Sequence, residues 1–411
     1  MSNKKRYIII AFILALVSLL APKFSAYSSS DVVVSLTLDS TKMEVNGKET
    51  DIDEGRTTAP AIINGRILVP IRAIIEAFDG DVQWNGNAKI VDLSVGNQNI
   101  LLQIGNDSAL VNGIETELDV PPEIINERVM LPIRFVAENF NFGVAWDDDT
   151  KTVSIIRNTF SDDEYTKLMK MVPEYSGDPY AVINNNVPFF EEYEIIGGSF
   201  EYYSFLDELG RCDVCVASVG TDIMPKEARE SISSVKPTGW ENEKYDHVDG
   251  GYLYNRCHLI GFQLTGENAN ERNLITGTRY MNVDGMLPFE NMVDDYVENT
   301  GNNVMYRVTP VFSGSNLVAD GVLMEAYSVE DNGTGLSFCI YCYNVQPGVQ
   351  IDYATGENMP DDEEMNTFYV YRTYTGKKYH IDEECGGENS YGVTMEAAVN
   401  AGLTPCGKCA K

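Results

Sequence analysis

The sequence predicts an α+β chain assembled from successive modules, on three observations. A block near the amino-terminal end recurs at constant spacing, a central stretch reads strand, strand, loop, helix, and residues 367–411 concentrate one histidine and three cysteines. At 411 residues and 44% apolar content, the chain exceeds what one ordinary core organises, so two or three domains are expected.

The chain opens with Lys4, Lys5 and Arg6, followed by an apolar run from Tyr7 to Ala21, then Pro22 and a serine-rich stretch. Basic residues ahead of a short apolar run are the pattern of an export signal, here assigned to residues 1–30. The run is shorter than the roughly 20 residues of a spanning helix, which favours a cleaved peptide over a retained anchor. Ala26 suits the position before a cut, although Phe24 is bulkier than the residue usual two places earlier. The expected location is therefore secreted or cell-surface, with no membrane span once the signal is removed. The net charge of -32 excludes a uniformly basic binder of phosphate backbones. It leaves room for an enzyme that meets a polyanion through a few arginines and a divalent cation, because a bound cation dominates its local field.

The repeat covers residues 32–157. Ile63-Asn-Gly-Arg-Ile-Leu-Val-Pro-Ile-Arg72 returns as Ile125-Asn-Glu-Arg-Val-Met-Leu-Pro-Ile-Arg134, and Glu76 and Trp84 return as Glu138 and Trp146. Each copy reads as a small α+β unit: an Asn-Gly turn (Asn46-Gly47, Asn112-Gly113), a strand, a short helix opened near proline, and a strand after tryptophan. The region resembles the copper amine oxidase N-terminal-like domain of exported bacterial proteins. It contains no His or Cys, so the soft ligands copper prefers are missing and the expected role is contact with the cell envelope or a partner. Arg72 and Arg134 are expected to pair with Glu76 and Glu138.

Residues 158–179 read as a linker or short helix, and residues 180–356 as the domain with chemistry. In the latter, Tyr252 to Tyr254 and Leu259 to Leu264 supply two extended runs. From Pro288, the apolar residues Phe289, Met292, Val293, Tyr296 and Val297 fall at helical spacing. Between them lie Asn255-Arg-Cys-His258, Glu271-Arg-Asn273, Arg279, Asn282 and Glu290. An imidazole can take a proton from water, and a hard cation such as Mg²⁺ keeps most of its waters and accepts an amide oxygen.

These residues resemble the DNA/RNA non-specific endonucleases of the ββα-metal type, in particular their bacterial DNA-uptake branch. That family's signature reads Asp-Arg-Gly-His, and here its first and third positions are Asn255 and Cys257. The resemblance implies a Mg²⁺-dependent endonuclease hydrolysing DNA and RNA to 5′-phosphate products. His258 would be the general base, Asn282 the direct Mg²⁺ ligand, Asn273 a residue orienting the site and Glu290 the holder of metal-bound water. Arg256 would contact phosphate, with Arg279 or Arg211 steadying the transition state. Taken singly, each has a structural reading: His258 a satisfied core residue, the asparagines loop or cap residues, Glu290 a first-turn carboxylate. His247 lies in a polar loop and is expected to be exposed. The rival functional reading is an envelope scaffold with an inactive nuclease-like domain, and a third is a delivered toxin.

Cys212 with Cys215 and Cys339 with Cys342 form CxxC pairs in strand-like runs, where alternation puts pair members on opposite faces. Buried thiols, disulfides and a joint four-cysteine zinc site all remain open there. The tail differs, because His380, Cys385, Cys406 and Cys409, including a knuckle Cys406-Gly-Lys-Cys409, suit a tetrahedral structural Zn²⁺ site. Its rival is a disulfide between two of these cysteines. A helix is expected over 394–401, stopped by Gly402.

Overall fold

The computed structural model describes residues 31–158, 160–361, 369–387 and 389–410. The signal segment, residues 1–30, lies outside them. Among the described residues, no helix is long and apolar enough to cross a membrane.

In the repeat region, Asn46-Gly47 and Asn112-Gly113 do turn hairpins, each with two positive φ values (48° and 71°, 51° and 81°), the geometry that matches the natural twist of paired strands. The helices Ile71–Ala77 and Ile133–Asn139 each begin directly after a proline. The copies are not separate units, however. Val32–Thr37 of the first copy pairs with Thr152–Arg157 of the second, and Arg66–Pro70 pairs antiparallel with Arg128–Pro132, Val69 opposite Leu131. One copy cannot bury its own apolar face, so the two close over a shared core containing Leu36, Ile74, Phe78, Leu131, Val136 and Ile155. Trp84 and Trp146 lie inside strands, and each is followed by the expected strand, Ile90–Val95 and Thr152–Arg157. Arg72 and Arg134 meet Glu76 and Glu138 at 3.5 and 3.7 Å.

The stretch after the repeats forms a helix, Asp162–Met169, started by a reciprocal cap between Ser161 and Glu164. Beyond it stands a six-stranded sheet in the order 180–182, 337–343, 321–328, 304–311, 215–219, 200–203. Val304–Val311 is buried along its whole length, as a central strand covered on both faces must be. One face packs on the helix Leu287–Thr300 through Val293, Val297, Tyr306 and Met324. At the opposite side Phe200, Tyr202, Val216 and Met305 share a cluster with Val33, Ala145 and Ile156 of the repeat module. Arg307 crosses the same boundary, its buried guanidinium 3.0 Å from Asp31 and 2.8 Å from both Glu194 and Glu325.

Two expectations need correction here. The run Leu259 to Leu264 is not a strand: Phe262–Thr265 is a single helical turn, and the partner of strand Tyr254–His258 is Leu274–Thr278. The four central cysteines are buried and unbridged. Cys339 and Cys342 face different clusters, but Cys212 and Cys215 share one, because Cys212 precedes its strand.

The tail contains the antiparallel pair 369–373 and 390–394, and a helix Met395–Asn400 whose amino end is capped by Thr394. Gly402 follows with φ 70°.

Candidate active site

The strand pair Tyr254–His258 and Leu274–Thr278 sets the alternation. Arg256 and His258 share one face, while Cys257 turns into the core and is completely buried. The sulfur fits because residue 277 is glycine: a Cβ there would stand 2.3 Å from Cys257 Sγ. Cysteine at this position therefore occupies core volume and stays out of the cleft chemistry.

His258 is 6% exposed. Its Nε2 lies 2.8 Å from the carbonyl of Asn268 and its Nδ1 lies 3.2 Å from Nη2 of Arg229. A guanidinium can only donate, so Nδ1 is the acceptor and the proton of a neutral ring sits on Nε2. Burial pushes the imidazole down to about 4, Arg229 pushes in the same direction, and the Asn268 carbonyl opposes both. The ring is thus neutral at physiological pH, with its basic lone pair aimed into the cleft.

Asn273 is fully buried. It accepts from the backbone N–H of Ile260 at 2.8 Å and donates to the same residue's carbonyl at 2.9 Å. This two-point clamp fixes the turn that leaves His258, which is a positioning task. Asn282 sits in a π-helical turn, Met281–Met286, that runs directly into the helix Leu287–Thr300. π-turns are rare and concentrate at functional sites. Glu290 lies in the first turn of that helix, 9% exposed, its carboxyl raised to about 8 by burial against the opposing pull of Arg229.

His258, Asn282, Glu290, Arg229, Arg256 and Arg279 line one cleft of about 750 Å³. The oxygen donors of Asn282 and Glu290 suit a hard cation and the neutral imidazole suits a base. A second cleft of about 570 Å³, on the repeat module, has neither imidazole nor thiol in its lining. Arg256 stacks on Trp240 at 4.2 Å and donates to the carbonyls of Ser233 and Val235, while Arg279 pairs with Asp249 at 2.6 Å. Arg211 is displaced from the expected site: it does not line the cleft, and its guanidinium holds Asp207 and the carbonyls of Gly314 and Asn316. Arg229 is the group that the sequence reading missed. It belongs to an irregular loop with no periodicity or motif, so only the fold reveals it. His247 is exposed.

A second constellation lies in the tail. Ligand atoms of His380, Cys385, Cys406 and Cys409 all fall within 4.8 Å of one another. Cys385 and Cys406 sulfurs are 4.0 Å apart, and Cys409 Sγ is 3.6 Å from His380 Nδ1. A tetrahedral zinc with bonds of ~2.3 Å to sulfur separates its ligands by about 3.8 Å, so the set fits. Backbone N–H groups of Cys409 and Lys408 aimed at Cys406 pull its thiol down to about 7. Parallel pairing of Lys378–Tyr379 with Thr404–Pro405 brings the two halves of the set together.

Residues 191–330 match the family model of the DNA/RNA non-specific endonuclease, and residues 52–155 match that of the copper amine oxidase N-terminal domain. Solved structures similar to the chain include NucA from Streptococcus agalactiae with magnesium ion bound (24% identity, TM-score 0.40, 49% of this chain and 97% of that one). The same protein with no metal bound gives 25% identity and TM-score 0.41 over 49% and 98%. Sda1 nuclease with bound zinc ion gives 29% and 0.34 over 39% and 80%. A protease inhibitor of Brevibacillus choshinensis is 27% identical over 128 residues, 29% of this chain, and the match spans 37% of that relative's length.

Proposed function

We propose that this chain, whose residues 191–330 match the DNA/RNA non-specific endonuclease family, is an exported Mg²⁺-dependent endonuclease that cleaves DNA and RNA to 5′-phosphate products. The observation that carries the reading is the meeting of a neutral imidazole, two hard oxygen donors and three arginines on one cleft. His258 Nδ1 takes the proton of the attacking water, while Nε2–H stays on the Asn268 carbonyl and keeps the ring oriented. Arg229 occupies Nδ1, and an incoming phosphate is the stronger partner for that guanidinium, which frees the base as substrate arrives. Asn282 and Glu290 would hold the Mg²⁺, directly and through water respectively. When bound, the cation supplies charge for the leaving 3′ oxygen. Arg256 and Arg279 contact the phosphate backbone, and such contacts carry no base information, so sequence preference is weak.

The tail would hold a structural Zn²⁺ on His380, Cys385, Cys406 and Cys409, with no ligand position left for substrate. The repeats would provide contact with the cell envelope, and the location would be secreted or cell-surface. Digestion of plasmid DNA and of RNA, with Mg²⁺ and with chelator, tests the activity. Cleavage should need the metal and fall by ~10²–10⁴ in His258→Ala. Undiminished cleavage by that variant would remove His258 from the mechanism, and inert wild type would favour the scaffold reading.

A further inference from the structure

The carbonyl of Asp284, in the π-turn that carries Asn282, accepts a hydrogen bond from outside that turn. Four residues on, where an α-helix would supply its N–H donor, stands Pro288, which has none. Here the donor comes from the tail: the Tyr374 hydroxyl donates to Asp284 O. Tyr374 follows the strand Tyr369–Thr373, and that strand exchanges two backbone hydrogen bonds between Tyr371 and His380, at 2.6 and 2.7 Å. His380 belongs to the Cys/His cluster, so one of its four ligands and the Tyr374 hydroxyl sit on one short hairpin. That hairpin is tied by Arg372 to Asp178, just ahead of the nuclease domain, at 3.0 Å. The junction also has a file of rings: Tyr391 and Tyr374 at 4.7 Å, Tyr374 and Tyr180 at 6.1 Å, Tyr180 and Phe289 at 4.8 Å. Phe289 is the neighbour of Glu290.

We propose that the Cys/His tail braces the catalytic metal site, with Tyr374 a positioning residue that holds the Asn282 turn through the Asp284 carbonyl. The inference rests on Asn282 being the Mg²⁺ ligand and on the tail cluster binding zinc. Loss of the brace then loosens the geometry of the ligand turn without touching base or phosphate contacts. It weakens Mg²⁺ binding and leaves the chemical step of the loaded enzyme nearly intact.

The test uses the full chain and Tyr374→Phe, which removes one oxygen and keeps the ring file, beside Cys406→Ser, which opens the cluster. Readouts are the Mg²⁺ concentration for half-maximal cleavage, turnover at saturating Mg²⁺, and Mg²⁺ binding by calorimetry. In Tyr374→Phe the half-saturating Mg²⁺ and the dissociation constant should rise about fivefold, the worth of one net hydrogen bond, with saturated turnover within about twofold. Cys406→Ser should show the same signature, enlarged, together with faster amide exchange over residues 281–286. Wild-type Mg²⁺ dependence in both variants, in a cleaving wild type, overturns the brace alone. A wild type that neither cleaves nor binds Mg²⁺ overturns the proposed function and the brace with it.

Discussion

Gly261→Ala isolates the position of one carboxyl group. Gly261 opens the turn Phe262–Thr265 at φ -57°, ψ 143°, values open to any L-residue, so alanine strains no backbone there. What alanine meets is Glu290: an added Cβ would stand 2.9 Å from its Cδ and Oε2 and 3.0 Å from Oε1. Ordinary contact between such atoms begins near ~3.5 Å, so the carboxyl must retreat by roughly half an ångström or more. Glu290 is 9% exposed in the first turn of a packed helix, which gives it little free room to do so. Overpacking of this kind costs about 1–3 kcal/mol, a fall of a few degrees in Tm for a domain this size. Catalysis is more sensitive, since misplacing a site group by about 1 Å can cost ~10²-fold. Initial rates on supercoiled plasmid across a Mg²⁺ series, read beside a thermal melt, should show turnover reduced about ten- to a hundredfold in a folded protein. A folded Gly261→Ala with wild-type turnover and Mg²⁺ dependence would refute the claim that the reaction needs Glu290 where it stands.

Two further outcomes follow from the same groups. His258 falls from an ordinary 6.5 to about 4 on folding, so the unfolded chain holds the extra proton between those values. Its contribution to stability is complete above pH 6.5 and is lost as pH falls toward 4, by about 3 kcal/mol; denaturant titrations of wild type and His258→Asn should converge as the pH is lowered through that window, and parallel curves would contradict it. Metal analysis of the purified chain should return one Zn²⁺, reduced to a small fraction in Cys406→Ser, and a wild type free of zinc would end the structural-zinc reading.

The sequence showed His258, Asn282 and Glu290 because the last two lie on one helix and the turn running into it, so their spacing is rigid. It misplaced the second strand for a definable reason. Leu259 and Ile260 look extended by propensity, but the buried Asn273 takes both the N–H and the carbonyl of Ile260 that a ladder would need. The true partner strand carries Gly277, a poor strand former by propensity, required there because Cys257 fills the space its side chain would occupy. A long-range side-chain contact decided each case, and neither contact has a local pattern. The arginines divide in the same way. Arg256 adjoins His258 in its strand and was found, whereas the exchange of Arg211 for Arg229 depended on loops whose course no periodicity encodes.

That exchange also bears on how a chain of net charge -32 can meet a polyanion. At physiological ionic strength, charges more than ~8 Å apart in solvent are largely screened, so the distributed carboxylates slow approach more than they weaken contact. At contact, the cleft presents Arg229, Arg256 and Arg279, and none of them is locked in a deeply buried ion pair. Arg229 meets a neutral imidazole, Arg256 meets neutral carbonyls and an indole, and Arg279 meets Asp249, whose side chain is 76% exposed. Arg307, by contrast, is held by three buried carboxylates and is unavailable to any ligand. The fold thus commits its buried arginine to joining domains and leaves on the cleft those arginines whose present partners a phosphate can replace.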